Sequence, residues 1–212
     1  MIRQEWKGQL VMIEADVKKR LGDFSLDANV SDEHFICLTG KNGSGKTTLL
    51  NLITGILTPD DGYVTLNSRK ITNLPIEQRQ VSIVTPDSCL PHLDVDRHLI
   101  WGAKNKGLYV ERDYIKEIKT GLGINFGGKV RKLSLGMRER VSLATSLVSK
   151  PQLILVDEAF SNIDNHRDFV DTFRGLAAKA KVDVIFTTQY PEDSTQADHH
   201  YQLDSGKSTR LF

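Results

Sequence analysis

Long apolar segments are missing from this sequence of 212 residues. Its purely aliphatic runs, such as Leu153–Val156, are far shorter than the roughly 20 apolar residues that a membrane-spanning helix needs. The N-terminus, which begins MIRQE, also lacks the apolar stretch of a secretory signal. We therefore expect a chain without a membrane-spanning helix and without a secretory leader.

Cysteine is scarce, and neither sign of charge is in excess. The two cysteines, Cys37 and Cys89, lie far apart and form no CxxC motif, which favours a reduced cytosolic compartment. Lys and Arg number 28 against 27 Asp and Glu, so the formal net charge is +1. This balance gives no overall electrostatic reason for binding nucleic acid or an anionic membrane surface. We expect no nucleic-acid partner.

Hydrophobic patterning predicts strands that alternate with helices. The predicted strands cover 9–17, 24–30, 34–39, 63–66, 81–85, 153–156, 182–188 and, as the last one, 199–204. The predicted helices cover 46–54, 94–122 with breaks at Gly102 and Gly107, 134–149 and about 165–180. This alternation indicates an α/β fold with a largely parallel sheet, in which the early strands form a separate antiparallel patch. The poor hydrophobicity of 86–130 predicts an outlying helical lobe.

The segment GKNGSGKT at 40–47 satisfies the pattern G-x-x-x-x-G-K-[ST]. Its glycines let the backbone curl so that successive amides point at phosphate oxygens, and the following helix adds its unpaired amides. Lys46 is expected to reach the β- and γ-phosphates of ATP, and the Thr47 hydroxyl to ligate Mg²⁺. A chance glycine loop is the alternative, but a strand precedes this loop and a helix follows it, as the mechanism requires. The predicted ATP contacts are Gly40, Lys41, Asn42, Gly43, Ser44, Gly45, Lys46, Thr47 and Thr48.

An aliphatic strand ends in two acids, Asp157 and Glu158. The carboxyl ends of parallel strands are where α/β proteins bind ligands, so Asp157 can hold Mg²⁺ through water. Glu158 faces a different way and can polarise an attacking water as a general base. The alternative for Asp157 is a strand-end acid that caps the next helix.

Two further segments, taken with these motifs, carry a resemblance to a known family. LSLGM at 133–137 with RERVSLA at 138–144 resembles the LSGGQ signature and its continuation, and SNID at 161–164 resembles the SALD-type loop. Over 9–207 the chain resembles the nucleotide-binding subunits of ATP-binding-cassette (ABC) transporters. The resemblance implies a P-loop NTPase (RecA-like) core with an antiparallel β-subdomain and a small helical subdomain. In a single domain over 1–212, the first two parts would occupy 1–85 and 150–212, and the helical subdomain about 86–149.

The resemblance also implies a head-to-tail homodimer or heterodimer of ATP-binding subunits. Each ATP would lie between the phosphate loop of one subunit and the signature of the other. Ser134 and the Gly136 amide would contact the γ-phosphate across the interface, and Asp164 would sense the facing subunit. Two of these residues have a structural alternative, because Ser134 and Asp164 are also suited to cap the helices that follow them.

Several positions depart from the family pattern. Pro86 stands where the family has a Gln that reaches the metal, and we do not expect the neighbouring Asp87 to replace it. Gln189 stands where the family has a His that contacts the γ-phosphate, and a carboxamide can donate a hydrogen bond but cannot carry a proton charge. Leu135 and Met137 replace a Gly and the Gln of the signature. We therefore predict that ATP binding is intact and that turnover is slow or depends on a partner.

Two stretches, PIEQR at 75–79 and LPHLDV at 90–95, resemble importer subunits, those for molybdate or tungstate most closely. In that family the surface 86–105 receives a helix of an integral-membrane permease, which implies a peripheral location on the cytoplasmic face of the membrane. Phe24 is the expected adenine-stacking residue, with Leu21 in that role, or Phe24 in the core, as alternatives. A non-transport ABC ATPase and an ATP-gated binding module with little turnover also remain open.

Overall fold

The computed structural model describes residues 12–212, so the start of the predicted strand 9–17 lies outside the described part. Its strands are β1 (Met12–Leu21), β2 (Phe24–Glu33), β3 (Phe35–Thr39), β4 (Asp61–Leu66), β5 (Arg69–Lys70), β6 (Val81–Val84), β7 (Leu153–Asp157), β8 (Asp183–Thr188), β9 (His199–Asp204) and β10 (Lys207–Arg210). Its helices are α1 (Lys46–Thr54), α2 (Val95–Asn105), α3 (Arg112–Gly121), α4 (Leu135–Val148) and α5 (His166–Ala180). Within this described part, no helix has the length and apolar content that a membrane crossing requires.

The ten strands form one sheet in the order β5-β4-β1-β2-β10-β9-β3-β8-β7-β6. The pairs β9–β3, β3–β8, β8–β7 and β7–β6 are parallel, whereas β1 pairs antiparallel with β2 and β4. The parallel strands β3, β7 and β8 therefore end at the same edge of the sheet. Ligands of α/β proteins bind at such an edge.

The antiparallel strands are not a separate patch, because β10 joins them to the parallel part. β10 pairs antiparallel with β9, and it pairs parallel with β2 through Lys207 and Asp27. The prediction that 199–204 is the last strand is therefore wrong as well. The KSTR sequence of β10 has no apolar alternation, so its position depends on the turn at 205–206 and on its neighbours rather than on its own pattern.

The predicted helix break at Gly102 is wrong, because α2 runs through this residue. A Cβ added at Gly102 would lie 2.6 Å from Oγ of Ser149, at the end of α4. This glycine therefore permits close packing of α2 on α4 and does not reverse the chain. The break predicted at Gly107 is confirmed, since α2 ends at Asn105 and Gly107 has a left-handed φ of 68°.

The parallel part of the sheet is buried on both faces. Along β3, Phe35 and Cys37 belong to a cluster that includes side chains of α2, α3, α4 and α5. Ile36 and Leu38, which alternate with them, belong to a second cluster that includes side chains of α1. Burial on both faces explains why β3 is a continuous apolar run. The predicted division into a core and a helical subdomain stays a prediction.

The buried side chain of Arg79 holds the C-terminal end of α1. Its Nη1 donates to the carbonyl oxygens of Leu52 at 3.1 Å and Ile53 at 3.0 Å, and its Nε donates to Leu74 O at 2.9 Å. Its Nη2 donates to Thr72 O. The last carbonyls of a helix lack intrahelical donors, so a guanidinium is a suitable partner for them. Burial lowers the pKa of Arg79.

Replacement of this guanidinium by an apolar group should destabilise the fold. For Arg79→Met we expect the free energy of unfolding to fall by about 3 kcal/mol, because buried carbonyl oxygens lose their donors. Urea unfolding followed by circular dichroism measures the change. Arg69→Met, at an exposed position of β5, is the control and should change the stability by less than about 0.5 kcal/mol. Equal effects of the two substitutions would contradict the assignment.

Candidate nucleotide-binding site

The loop between β3 and α1 has a backbone that requires glycine at three positions. Gly43 and Gly45 have left-handed φ angles of 79° and 109°. A Cβ added at Gly40 would lie 2.3 Å from the carbonyl oxygen of Leu203. α1 begins at Lys46 with no side-chain cap and no acidic residue in its first turn. Its first amides are therefore available to an anion.

The ammonium of Lys46 is hydrogen-bonded to backbone carbonyl oxygens of this loop. Its Nζ donates to Gly40 O at 2.7 Å and to Lys41 O at 3.3 Å, and it lies 3.5 Å from Oε1 of Glu158. The Lys46 side chain is only 5% exposed. A positive charge is therefore held at the point where the loop and the end of β7 meet.

Thr47 and Asp157, the two predicted metal-site residues, are in direct contact. Oγ1 of Thr47 donates to Oδ2 of Asp157 at 2.7 Å. The other carboxylate oxygen, Oδ1, accepts from Oγ1 of Thr187 at 2.7 Å. The alternative reading of Asp157 as a cap of the next helix is wrong, because α5 begins only at His166 and its N-cap is Asn165.

This donor set fits Mg²⁺. Because Thr47 gives its proton to Asp157, the lone pairs of its hydroxyl remain free for a hard cation. Within residues 12–212, no group of three or more His, Cys, Asp or Glu side chains is placed to hold a metal ion. Mg²⁺ is typically held by one or two protein oxygens together with phosphate oxygens, so a nucleotide would supply the remaining ligands.

Glu158 lies between Lys46 and Gln189. Nε2 of Gln189 is 3.4 Å from Oε2 and 3.5 Å from Oε1 of Glu158, whereas Lys46 approaches the carboxylate from the phosphate loop. The backbone of Glu158 has a positive φ of 56°. The structure thus brings together both residues for which the sequence predicts a catalytic role, although the roles themselves stay predictions.

Thr187, which lies beside Asp157, is a site residue that no sequence motif predicts. The two residues are paired in the register of the parallel strands β7 and β8. In the sequence, a polar residue stands at the end of each of these two strands. Their proximity can be inferred only once the two strands are known to be neighbours in the sheet.

The signature residues Ser134 and Gly136 lie at the start of α4. Oγ of Ser134 accepts from the amide of Met137 at 3.3 Å, so Ser134 is the N-cap of this helix, as the structural alternative predicts. A Cβ added at Gly136 would lie 2.5 Å from the carbonyl oxygen of Asn162. No hydrogen bond in the described part of the chain joins either residue to the loop 40–48. Their contact with a nucleotide across a dimer interface stays a prediction.

Asp164 lies on an exposed loop before α5. Its carbonyl oxygen accepts from Nη2 of Arg140 at 3.3 Å, which ties the loop to α4. The reading of Asp164 as a helix cap is wrong, because the N-cap position belongs to Asn165, whose backbone is left-handed. The predicted role of Asp164 at a facing subunit stays a prediction.

Phe24 is half-buried beside the phosphate loop. A Cβ added at Gly45 would lie 2.8 Å from Cζ of Phe24, and the ring also packs against the cluster that contains Leu26. This packing supports a core role for at least part of the ring. Leu21 is 40% exposed. Which of the two residues stacks on adenine stays a prediction.

Pro86 and Asp87 form a turn after β6. The amide of Ser88 donates to Thr85 O at 3.0 Å, and Oγ of Ser88 accepts from the amide of Thr85 at 2.9 Å, which closes the turn. The carboxylate of Asp87 is exposed. Among the described residues, it makes no hydrogen bond with Thr47 or Asp157.

The comparison with protein families agrees with this geometry. A family model described as "ABC transporter" matches residues 24–161, which is more than half of the chain. The matched range includes the phosphate loop, the signature segment and both acids. The chain belongs to the ABC transporter family. It thus carries the ATP-binding cassette from which that family is named.

Two curated members of the ABC family illustrate the likeness. The molybdenum import ATP-binding protein ModC of Pasteurella multocida is 31% identical over 208 residues, which is 92% of this chain and 59% of that protein. The molybdate/tungstate import ATP-binding protein WtpC of Archaeoglobus fulgidus is 41% identical over 159 residues, which is 73% of this chain and 66% of that protein. The chain thus spans less than two thirds of the length of these curated relatives.

Two solved ABC structures have the same fold. The ADP conformation of an ATP-binding cassette of an ABC transporter gives a TM-score of 0.76 at 23% identity, covering 96% of this chain and 90% of that chain. A bacterial Atm1-family ABC exporter with ATP bound gives a TM-score of 0.80 at 20% identity, covering 95% of this chain and 38% of that chain. The likeness at these identities concerns the fold alone, and it confirms the predicted P-loop NTPase fold.

Removal of the Lys46 ammonium should abolish most of the ATP affinity of this ABC cassette. For Lys46→Ala we expect binding to weaken by at least about 100-fold, because a charge-assisted contact with the phosphates is lost. Calorimetry with ATP and Mg²⁺ measures the affinity, and thermal unfolding without nucleotide shows whether the variant is folded. Lys70→Ala, at an exposed position of β5, is the control and should bind like the wild type. A folded Lys46→Ala protein with unchanged affinity would contradict the site.

Proposed function

We propose that this chain is the ATP-hydrolysing subunit of an importer and that it drives solute transport through a membrane permease. One observation carries the proposal: the convergence of Lys46, Thr47, Asp157 and Glu158 at the carboxyl edge of the sheet, with the contacts described above. The names of the curated relatives, which are import ATP-binding proteins, support the same function.

Different groups of the chain bind the phosphates of ATP and the metal ion. The uncapped amides at the start of α1 surround the phosphates, and Lys46 moves from the carbonyl oxygens of the loop to the β- and γ-phosphates. Thr47 and Asp157 are the residues that would hold Mg²⁺. The bound ion supplies neutralisation of the charge that develops on the phosphate oxygens.

Glu158 is suited to accept the proton of the attacking water. Lys46 now lies 3.5 Å from its carboxylate, and a triphosphate competes for that ammonium. Once Lys46 has turned to the phosphates, Glu158 is free to act as a general base. The water oxygen then bonds to the γ-phosphorus, the bond to the bridging oxygen breaks, and the proton passes to Glu158.

The departures from the family pattern favour slow turnover. Gln189 orients Glu158 by hydrogen bonding but cannot carry the positive charge that a histidine supplies. Pro86 cannot reach the metal with a side-chain amide. Leu135 is 38% exposed at the start of α4, where its bulk would hinder the approach of a phosphate held by a facing subunit. The same departures favour a second candidate function, an ATP-gated binding module with little turnover.

Substitutions at Glu158 and Gln189 separate these two functions. We expect the wild type to turn over ATP well below the typical enzyme rate of about 10 per second, and Glu158→Gln to lower the single-turnover rate further by at least about 100-fold. Gln189→His should raise the rate, because an imidazole can carry charge. A wild-type rate of about 10 per second that Gln189→Ala leaves unchanged would refute slow turnover. An unchanged single-turnover rate in Glu158→Gln would exclude Glu158 as the base.

A cavity of about 320 Å³ between α2 and α4 is the proposed docking surface for the permease. Trp101, one of the residues that line this cavity, is 47% exposed. The neighbouring loop is held by His98, whose Nε2 accepts from the amide of Leu90 at 3.0 Å. Nδ1 of His98 therefore carries the proton and donates to Oγ1 of Thr145 at 2.8 Å. Burial lowers the pKa of His98, which keeps the neutral form that this arrangement needs.

Co-purification tests the partner. From detergent-solubilised membranes of the source cells, we expect the chain to retain a multi-span membrane protein, and Trp101→Glu to reduce that yield by about tenfold because a charge enters an apolar contact. ATP affinity should not change, since Trp101 lies outside the phosphate site. Tyr109→Glu, at an aromatic residue that is 86% exposed beyond the cavity, is the control. If the wild type retains no membrane protein, the ATP-gated module or a non-transport ABC ATPase replaces transport.

The finer features of the proposal follow from the resemblance. The cassette would work as a homodimer or heterodimer on the cytoplasmic face of the membrane, with Ser134, Gly136 and Asp164 at the nucleotide of the facing subunit. The segment of about 86–149 would form the helical subdomain. Molybdate, tungstate or a related oxyanion is the proposed solute class, supported by the names of the relatives.

A further inference from the structure

Thr187 lies near the carboxyl end of β8, beside the end of β7. It is the residue of β8 that pairs with Asp157 of β7 in the parallel register. Its side chain is buried, with only 2% of the residue exposed. A buried hydroxyl at this point must find its hydrogen-bond partners within the site.

The single hydroxyl of Thr187 contacts both acids. The amide of Glu158 can only donate, so Oγ1 of Thr187 accepts from it, at 3.1 Å. The hydroxyl proton is then directed to Oδ1 of Asp157, at 2.7 Å. One side chain therefore links the carboxylate of the first acid to the backbone of the second.

The contact with Asp157 sets the orientation of its carboxylate. Oδ2 accepts from Thr47 of α1 and Oδ1 accepts from Thr187 of β8, so the two oxygens are held by two different elements. Carboxylates that act at metal ions are commonly oriented by such outer hydrogen bonds. Without Thr187, the Asp157 carboxylate would keep the hydrogen bond from Thr47 at Oδ2 but would lose the one that fixes Oδ1.

The contact with Glu158 acts on a strained backbone. The φ of Glu158 is 56°, a conformation that a residue other than glycine adopts only when its surroundings hold it there. The Thr187 hydroxyl holds the amide of that residue. The direction in which the Glu158 side chain leaves β7 therefore also depends on Thr187.

We propose that Thr187 is a positioning residue for Mg²⁺-dependent nucleotide binding, because its hydroxyl orients Asp157 and the backbone of Glu158 together. The inference rests on the proposed function, since it assumes that the site takes ATP with Mg²⁺. Thr187 belongs neither to the phosphate loop nor to the acid pair, so this role is additional to those predicted for the two motifs.

Thr187→Val tests the inference, because valine keeps the shape of threonine and lacks the hydroxyl. The affinity for a non-hydrolysable ATP analogue is measured by calorimetry in EDTA and over a series of Mg²⁺ concentrations. We expect the Mg²⁺ concentration for half-maximal enhancement of binding to rise by about tenfold, the lower end of the range for outer-shell substitutions. Affinity in EDTA should change by less than about twofold, since the amides and Lys46 are untouched. Thr187→Ser, which restores the hydroxyl, should behave like the wild type.

Thr72→Val is the matched control. Thr72 is also buried, and its hydroxyl accepts from the amide of Val64 at 2.8 Å, away from the site. This variant should lose stability without any change in the Mg²⁺ dependence. If Thr187→Val is not folded, Thr187→Ala takes its place with the same expectation.

The possible results distinguish failure of the inference about Thr187 from failure of the proposed function. If the wild type binds the analogue with Mg²⁺ and Thr187→Val matches Thr72→Val in its Mg²⁺ dependence, Thr187 is merely structural and the inference is overturned, while the proposed function stands. If the wild type binds no analogue with or without Mg²⁺, the proposed function and the inference are both overturned. A shift confined to Thr187→Val and Thr187→Ala supports the inference.

Discussion

The carboxylate of Asp157 is the group on which the candidate site depends. It accepts one hydroxyl proton from Thr47 of α1 and another from Thr187 of β8. The helix that begins at the phosphate loop is thereby joined to two neighbouring parallel strands of the sheet, β7 and β8. A buried carboxylate is costly unless such donors surround it, so the three elements keep one arrangement. The geometry around a nucleotide therefore depends on the sheet as well as on the phosphate loop.

Phosphate binding and proton transfer depend on different parts of this arrangement. The proposed binding would use backbone amides and Lys46, and the chain keeps every residue type that the phosphate loop requires. The proposed proton transfer would use Glu158, whose neighbours are Lys46 and the uncharged Gln189. Among the departures from the family pattern, Gln189 lies beside Glu158, whereas Pro86 and Leu135 concern the expected metal contact and the facing subunit.

Elements with strong local signals were predictable from the sequence. The predicted helix over 46–54 is found at Lys46–Thr54, because a glycine loop precedes it and Gly55 ends it in a left-handed conformation. The predicted start of a helix at Ser134 is found as its N-cap. The helix break predicted at Gly102 is wrong, because the sequence alone does not distinguish a glycine that permits close helix packing from one that ends a helix. The strand β10 was missed because its polar run has no period of its own.

The phosphate loop, the acid pair and the alternation of strands with helices are encoded locally, since each depends on residues that are neighbours along the chain. Three features follow from the folded arrangement instead: the antiparallel strands continue into the parallel sheet, Gln189 lies beside Glu158, and Thr187 lies beside Asp157. These facts depend on strand order and register. Both arise from hydrogen bonds and packing between segments far apart in the chain, which no local pattern encodes.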